Sequence, residues 1–137
     1  MKKLLIIALL VVGCGTEPEP SLCVGLTEVE LWGVDYDIAT TDTLKLRYQE
    51  LTGSIPPEIG CLTNLVYLSL HSNQLTGEIP SEIGQLTSLA NLYLYDNHLS
   101  GEIPQEVCDL IESNNWAGWW TFEAHILAGN NLINTCE

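Results

Sequence analysis

Apolar residues along positions 43–110 return every twenty-four residues, and their order inside each copy is fixed. Leu68 and Leu70 stand two apart, with Tyr67, Ser69 and His71 alternating against them, which is the period of a strand with one dry face. Leu75 follows, then Gly77, Ile79 and Pro80. Beyond the proline, Ile83, Leu86 and Leu89 fall at the wider spacing that predicts a helical turn. Residues 51–74 and 75–98 agree at 14 of 24 positions without a gap, and 99–110 matches 75–86 at 7 of 12, so the chain carries an internal repeat.

One such unit cannot bury its own leucines. Stacked units cover one another, which predicts a parallel sheet with strands about 4.8 Å apart and a helical back. Asn73 and Asn97 then meet the strand exits, where inward amides bond backbone groups that the turn leaves unpaired. Gln49 takes that place in the first unit and predicts a looser turn. Gly53, Gly77 and Gly101 permit the bend, and Pro56, Pro80 and Pro104 end the short strand before each helical turn. Glu58, Glu82 and Glu106 share one phase, as acidic residues of helix starts do, and are not read as a cation site.

Written from the strand, the unit is L-x-L-x-x-N-x-L-x-G-x-I-P-x-x-I-G-x-L-x-x-L, seen at Leu68, Leu70, Asn73, Leu75, Gly77, Ile79, Pro80, Ile83, Leu86 and Leu89. It resembles the plant-type leucine-rich repeat, whose mark is the L-[TS]-G-x-I-P segment. The resemblance implies an α/β solenoid: a short right-handed coil with a parallel concave sheet, convex helical turns and a cap at each end. The repeats span 43–110. An N-terminal cap is expected over 22–42, where Leu22, Leu26, Val29 and Trp32 have the near-helical spacing of a capping helix. Relatives with a similar L-W-G segment follow it with a cysteine; this chain has Asp35 there.

A C-terminal cap is expected over 111–137. The repeat frame fails after Leu110 and returns at Leu127, Asn130 and Leu132, which puts His125 at an inward position and predicts an irregular last repeat. Trp116, Trp119 and Trp120 in the intervening stretch suit either a cap over the coil's end or a contact surface.

At the N-terminus, Lys2 and Lys3 precede nine unbroken apolar residues, Leu4 to Val12. The run is too short for the roughly 20 residues of a spanning helix. Residues 1–13 therefore read as a secretory signal. Val11-Val12-Gly13-Cys14 resembles the lipobox of bacterial lipoproteins, which implies a lipidated Cys14, a membrane attachment through that lipid, and residence in the bacterial cell envelope. Gly15 after the cysteine, where aspartate would retain a lipoprotein at the inner membrane, points to the outer membrane or cell surface. Residues 14–21 are then a lipid-bearing tether with alternating Glu and Pro. Four further cysteines remain, Cys23, Cys61, Cys108 and Cys136, enough to pair completely in an oxidising compartment. Three connectivities are open; proximity along the chain favours Cys23–Cys61 and Cys108–Cys136.

The chain has eighteen acidic and four basic residues, and two of the four, Lys2 and Lys3, belong to the signal. That balance excludes a nucleic-acid partner. The two remaining cations, Lys45 and Arg47, fall on one strand. With Tyr67, Ser69, His71, Asn91, Tyr93 and Tyr95 they form the predicted outward face, with Asp96 at a strand exit beside it. Tyrosines and an arginine are the residue types enriched in recognition surfaces. Neutralisation of Asp42 and Glu50 is the competing use of the two cations. No phosphate-loop, nucleophile-elbow or metal-ligand spacing occurs, so no metal, cofactor or catalytic role is expected. The sequence describes a binding module for a protein or glycan, with a passive surface spacer as the alternative, and leaves the oligomeric state open.

Overall fold

The computed structural model describes residues 22–114 and 123–136. The expected signal segment, Cys14 and the expected tether, with Trp116, Trp119 and Trp120, lie outside the described residues. No helix among the described residues is long and apolar enough to cross a membrane.

Strands β3 (Thr43–Lys45), β5 (Tyr67–Ser69) and β7 (Asn91–Tyr93) form one parallel sheet in the order β3-β5-β7. Its register pairs Leu44 with Leu68 and Leu68 with Leu92, so residues twenty-four apart are neighbours across the sheet. A second sheet, in the order β4-β6-β8-β9, joins β4 (Thr52–Gly53), β6 (Gln74–Gly77), β8 (His98–Glu102) and β9 (Asn131–Ile133), again in parallel. Between this sheet and the next strand of the first run 3-10 turns at Pro57–Cys61 and Ser81–Gln85, each entered through an extended proline. The third copy instead forms a true helix, α1 (Gln105–Ser113), entered through Pro104.

The interior is a set of apolar columns read straight from the repeat: Leu44, Leu68 and Leu92; Ile55, Ile79 and Ile103; Ile59, Ile83 and Val107; Leu62, Leu86 and Leu110; Leu65 and Leu89; Leu70 and Leu94. All are buried, and each layer removes its neighbour's leucines from water at about 25 cal/mol for every Å² of apolar surface covered. Gly53, Gly77 and Gly101 have φ of +78°, +78° and +89°, the left-handed conformation their turn requires. Gly60 and Gly84 serve another purpose. A Cβ at Gly60 would lie 2.6 Å from the Glu82 carbonyl oxygen, and one at Gly84 would lie 2.6 Å from that of Glu106, so the backs of successive coils approach closely only because these positions lack a side chain.

Asparagines tie the coils together. Asn73 Nδ2 donates to the carbonyls of Leu70 in its own coil and Leu46 in the preceding one, both at 2.8 Å, while its Oδ1 accepts the amides of Leu51 and Gln49. Asn97 repeats the pattern with Leu94, Leu70 and Leu75, and Asn130 with Ile126, Leu94 and Leu99. Each asparagine thus serves the coil before it. Gln49 stands in the first coil, with no earlier repeat to serve, which accounts for the loss of asparagine at that position.

The N-terminal segment departs from the expected capping helix. It forms an antiparallel hairpin, β1 (Glu28–Leu31) with β2 (Val34–Asp37). Val29 and Leu31, two apart, are 3% and 1% exposed, whereas Leu22 and Leu26 are 47% and 41% exposed. Strand alternation through Val29 and Leu31 competes with the 3,4 spacing and prevails, because it lays both side chains on the open end of the core while the two-residue turn at Trp32 and Gly33, both with positive φ, closes the hairpin.

At the other end the last repeat is irregular, as its frame predicts: a π-helical turn spans Glu123–Leu127, and Ile126 rather than His125 enters the core. Disulfides join Cys23 to Cys61 and Cys108 to Cys136, one at each end of the stack.

Candidate functional site

Strand alternation sends the leucines of β3, β5 and β7 inward and leaves the intervening residues on one outer face. Lys45, Ser69 and Tyr93 stand in register across the three strands, with Tyr67 and Asn91 paired in the row before them. Arg47, His71 and Tyr95 follow at the strand exits, and the rings make a connected array. His71 stacks on Tyr95 with centroids 4.3 Å apart and planes 9° apart. On its other flank His71 meets Tyr48 nearly perpendicularly at 5.3 Å. Tyr93 lies 5.5 Å from Tyr67, 6.5 Å from Tyr95 and 4.6 Å from His125 of the π-turn. The Lys45 ammonium sits 5.5 Å from the centre of the Tyr67 ring, within cation–π range.

Lys45, Arg47 and Asp96 are exposed, and Tyr67, Asn91, Tyr93 and Tyr95 are half-buried. Two of the predicted surface residues are not surface residues. Ser69 is 0% exposed, because it is the short side chain of a row between Lys45 and Tyr93, and longer neighbours on strands about 4.8 Å away close over it. Its Oγ has no hydrogen-bond partner among the described residues. His71 is 5% exposed, enclosed by the Tyr48 and Tyr95 rings. Both shape the site from beneath.

Burial lowers the His71 pKa below the ordinary imidazole value; the Arg47 guanidinium adds to the effect, and the Asp96 carboxylate opposes it. His71 Nδ1 is 3.0 Å from Ser72 Oγ. Burial likewise raises the Tyr95 phenol, with Tyr48 and Asp96 contributing. The face is therefore a neutral, mutually packed sheet of rings bordered by two cations. No carboxylate of the described residues comes within 4.0 Å of Lys45 or Arg47, so Asp42 and Glu50 do not tie them down.

Tyr48 escaped the sequence reading. It belongs to the turn rather than the strand alternation, at the position equivalent to Ser72 and Asp96, and all three have left-handed φ of 56°, 57° and 53°. An aromatic residue at a turn position that Ser and Asp occupy in the sister coils is the signal that marks it. The strained backbone swings its ring, 68% exposed, over His71.

Residues 64–86 and 88–110 match the model of the Leucine Rich Repeat family. No curated protein sequence matches the chain. Among solved structures, the BIR3–SERK2 complex from Arabidopsis thaliana is similar at 37% identity and a TM-score of 0.54, over 66% of this chain and 43% of that one. The leucine-rich repeat ectodomain of the receptor kinase SOBIR1 from Arabidopsis thaliana is similar at 35% identity and a TM-score of 0.51, over 63% of this chain and 42% of that one. The PEPR1–AtPEP1 structure is similar at 42% identity and a TM-score of 0.51, over 52% of this chain and 10% of that one. This chain thus spans less than half the length of each of these three. Its parallel strands and inward leucines form a leucine-rich repeat fold, and residues 64–86 and 88–110 are leucine-rich repeats.

Proposed function

We propose that this protein is a binding module of the bacterial cell envelope, attached by lipid at Cys14, that recognises a protein or glycan partner on the outer face of its first sheet. The observation that carries the reading is the connected ring array of Tyr48, His71, Tyr95, Tyr93 and Tyr67 beside Lys45 and Arg47. Rings that already pack on one another lose little further freedom on binding, and tyrosine and arginine dominate interface energetics. The similar BIR3–SERK2 and PEPR1–AtPEP1 structures are complexes, which supports a recognition role for a chain of this fold. Attachment and envelope location rest on the N-terminal sequence alone. In this reading the sheet is the concave side of a short right-handed coil and the cysteine-closed ends are its caps.

A passive spacer is the second reading, favoured by the regular stack and the bridge at each end. A hydrolytic role for His71, Ser72 and Asp96 is not proposed: the Ser72 amide donates to the Tyr95 carbonyl and is not free to serve as an oxyanion donor.

The test compares the wild-type ectodomain with Tyr93→Ala/Tyr95→Ala in envelope pull-downs and on a glycan array. Specific capture that the double substitution abolishes, with the fold intact by circular dichroism, supports the binding module. Capture by neither protein supports the spacer, and equal specific capture by both places the contact away from Tyr93 and Tyr95.

A further inference from the structure

We infer that Arg47, His71 and the rings of Tyr48 and Tyr95 form a subsite for a carboxylate-bearing peptide segment of the partner, and that His71 takes up a proton when the segment binds. The inference rests on the binding-module reading and names the chemistry of its ligand. The charge distribution comes first. In a chain of eighteen carboxylates, the two cations outside the signal segment share this face, and no carboxylate of the described residues lies within 4.0 Å of them. An anionic group docking at Arg47 meets an unspent guanidinium, while the long-range repulsion from the acidic chain is screened beyond about 8 Å at physiological salt.

Ring geometry favours a peptide over a sugar. A sugar stacks on open ring faces, but the facing sides of His71 and Tyr95 are consumed by each other, and Tyr48 lies nearly perpendicular to His71. Ring edges carry the positive end of the aromatic quadrupole, and phenol hydroxyls donate, so such an array suits acceptor-rich carboxylates.

The proton follows from what surrounds His71. Tyr48 and Arg47 face it from the β3 exit, Ser72 from its own turn, and Tyr93, Tyr95 and Asp96 from the β7 side, with His125 beyond Tyr93. Arg47 opposes an imidazolium here, and Asp96 favours one. A ligand carboxylate at Arg47 cancels the opposition and adds a second anion. The imidazole then binds a proton from solvent, and the resulting cation stays stacked on Tyr95. Binding and protonation are linked, so affinity rises as pH falls through the imidazole range.

The probe is oligoglutamate, titrated into the disulfide-intact ectodomain by calorimetry from about pH 7.5 to about pH 6, a window in which glutamate carboxylates, with pKa near 4.3, stay ionised. We expect binding to tighten roughly five-fold across the window, with proton uptake revealed by buffers of differing ionisation enthalpy. His71→Gln should flatten the pH dependence, and Arg47→Gln should weaken binding at every pH by about ten-fold. Circular dichroism verifies the fold of each variant. Absence of oligoglutamate binding, a pH dependence that survives His71→Gln, or tighter binding of a sulfated polysaccharide overturns the inference. Tyr93→Ala/Tyr95→Ala still abolishing partner capture in any of those cases would leave the binding module standing without this subsite.

Discussion

Asn97 lies in the third coil but secures the second: its Oδ1 accepts the amide of Leu75 at 3.1 Å, and its Nδ2 donates to the carbonyls of Leu70 at 3.1 Å and Leu94 at 2.9 Å. Asn97→Ala leaves the Leu75 amide without a partner and takes one of two donors from the Leu70 and Leu94 carbonyls, which keep Asn73 and Asn130, and is expected to destabilise the domain by about 1–3 kcal/mol. Gln49→Asn supplies the same side chain where no earlier repeat waits for it, and is expected to change stability by less than about 0.5 kcal/mol. Urea denaturation of the two variants against wild type checks the contrast.

Gly84→Ala places a methyl 2.6 Å from both the carbonyl oxygen and the Cβ of Glu106, so α1 must move away from the preceding 3-10 turn. The expected loss is about 1–3 kcal/mol. At Gly53 no atom lies within 4 Å of an added methyl, and only the φ of +78° opposes it, so Gly53→Ala is expected to cost about 1 kcal/mol. Thermal melts that rank Gly53→Ala as the more damaging would contradict the packing argument.

Removing either disulfide is expected to cost about 2–4 kcal/mol, because each closes a long loop, with sequence separations of 38 and 28. The paired substitutions Cys23→Ser/Cys61→Ser and Cys108→Ser/Cys136→Ser, each melted with and without reductant, separate the two contributions. Reductant should lower the midpoint of each single-bridge variant further.

His71 also makes stability depend on pH. Its folded pKa is depressed by burial and by Arg47, so at pH values between the ordinary imidazole range and the folded value the unfolded chain holds a proton that the folded chain lacks. This contribution is complete above about pH 6.5 and is lost as pH falls through the folded value. Urea midpoints at about pH 7.5 and about pH 6 should show a decline that His71→Gln reduces. An unchanged decline in the variant would assign it to other groups.

Much of this was legible in advance. Leu68, Leu70 and Asn73 recur at one period, so their columns and the asparagine bonds follow from stacking alone, and proximity selected the two cysteine pairs that form. Residues outside that periodicity read less well. Leu22, Leu26, Val29 and Trp32 carry a helical spacing, and the hairpin prevails only because Val29 and Leu31 can lie together on the open core. The outward direction of Ser69 is set by strand alternation, but its exposure is set by the size of its neighbours on other strands, which no single repeat records. Tyr48 stayed hidden because a turn, not a strand, aims it.

The asparagine bonds run in one direction. Asn73 latches the exit of the first coil, Asn97 that of the second and Asn130 that of the third, so each latch sits in the successor of the part it holds. Fraying that reaches the first coil breaks the bonds Asn73 makes to Gln49 and Leu51, and fraying at the far terminus breaks those Asn130 makes to Leu94 and Leu99, so the stack opens inward from either end, one latch at a time. The bridges Cys23–Cys61 and Cys108–Cys136 therefore stand at the two ends from which the stack can unzip.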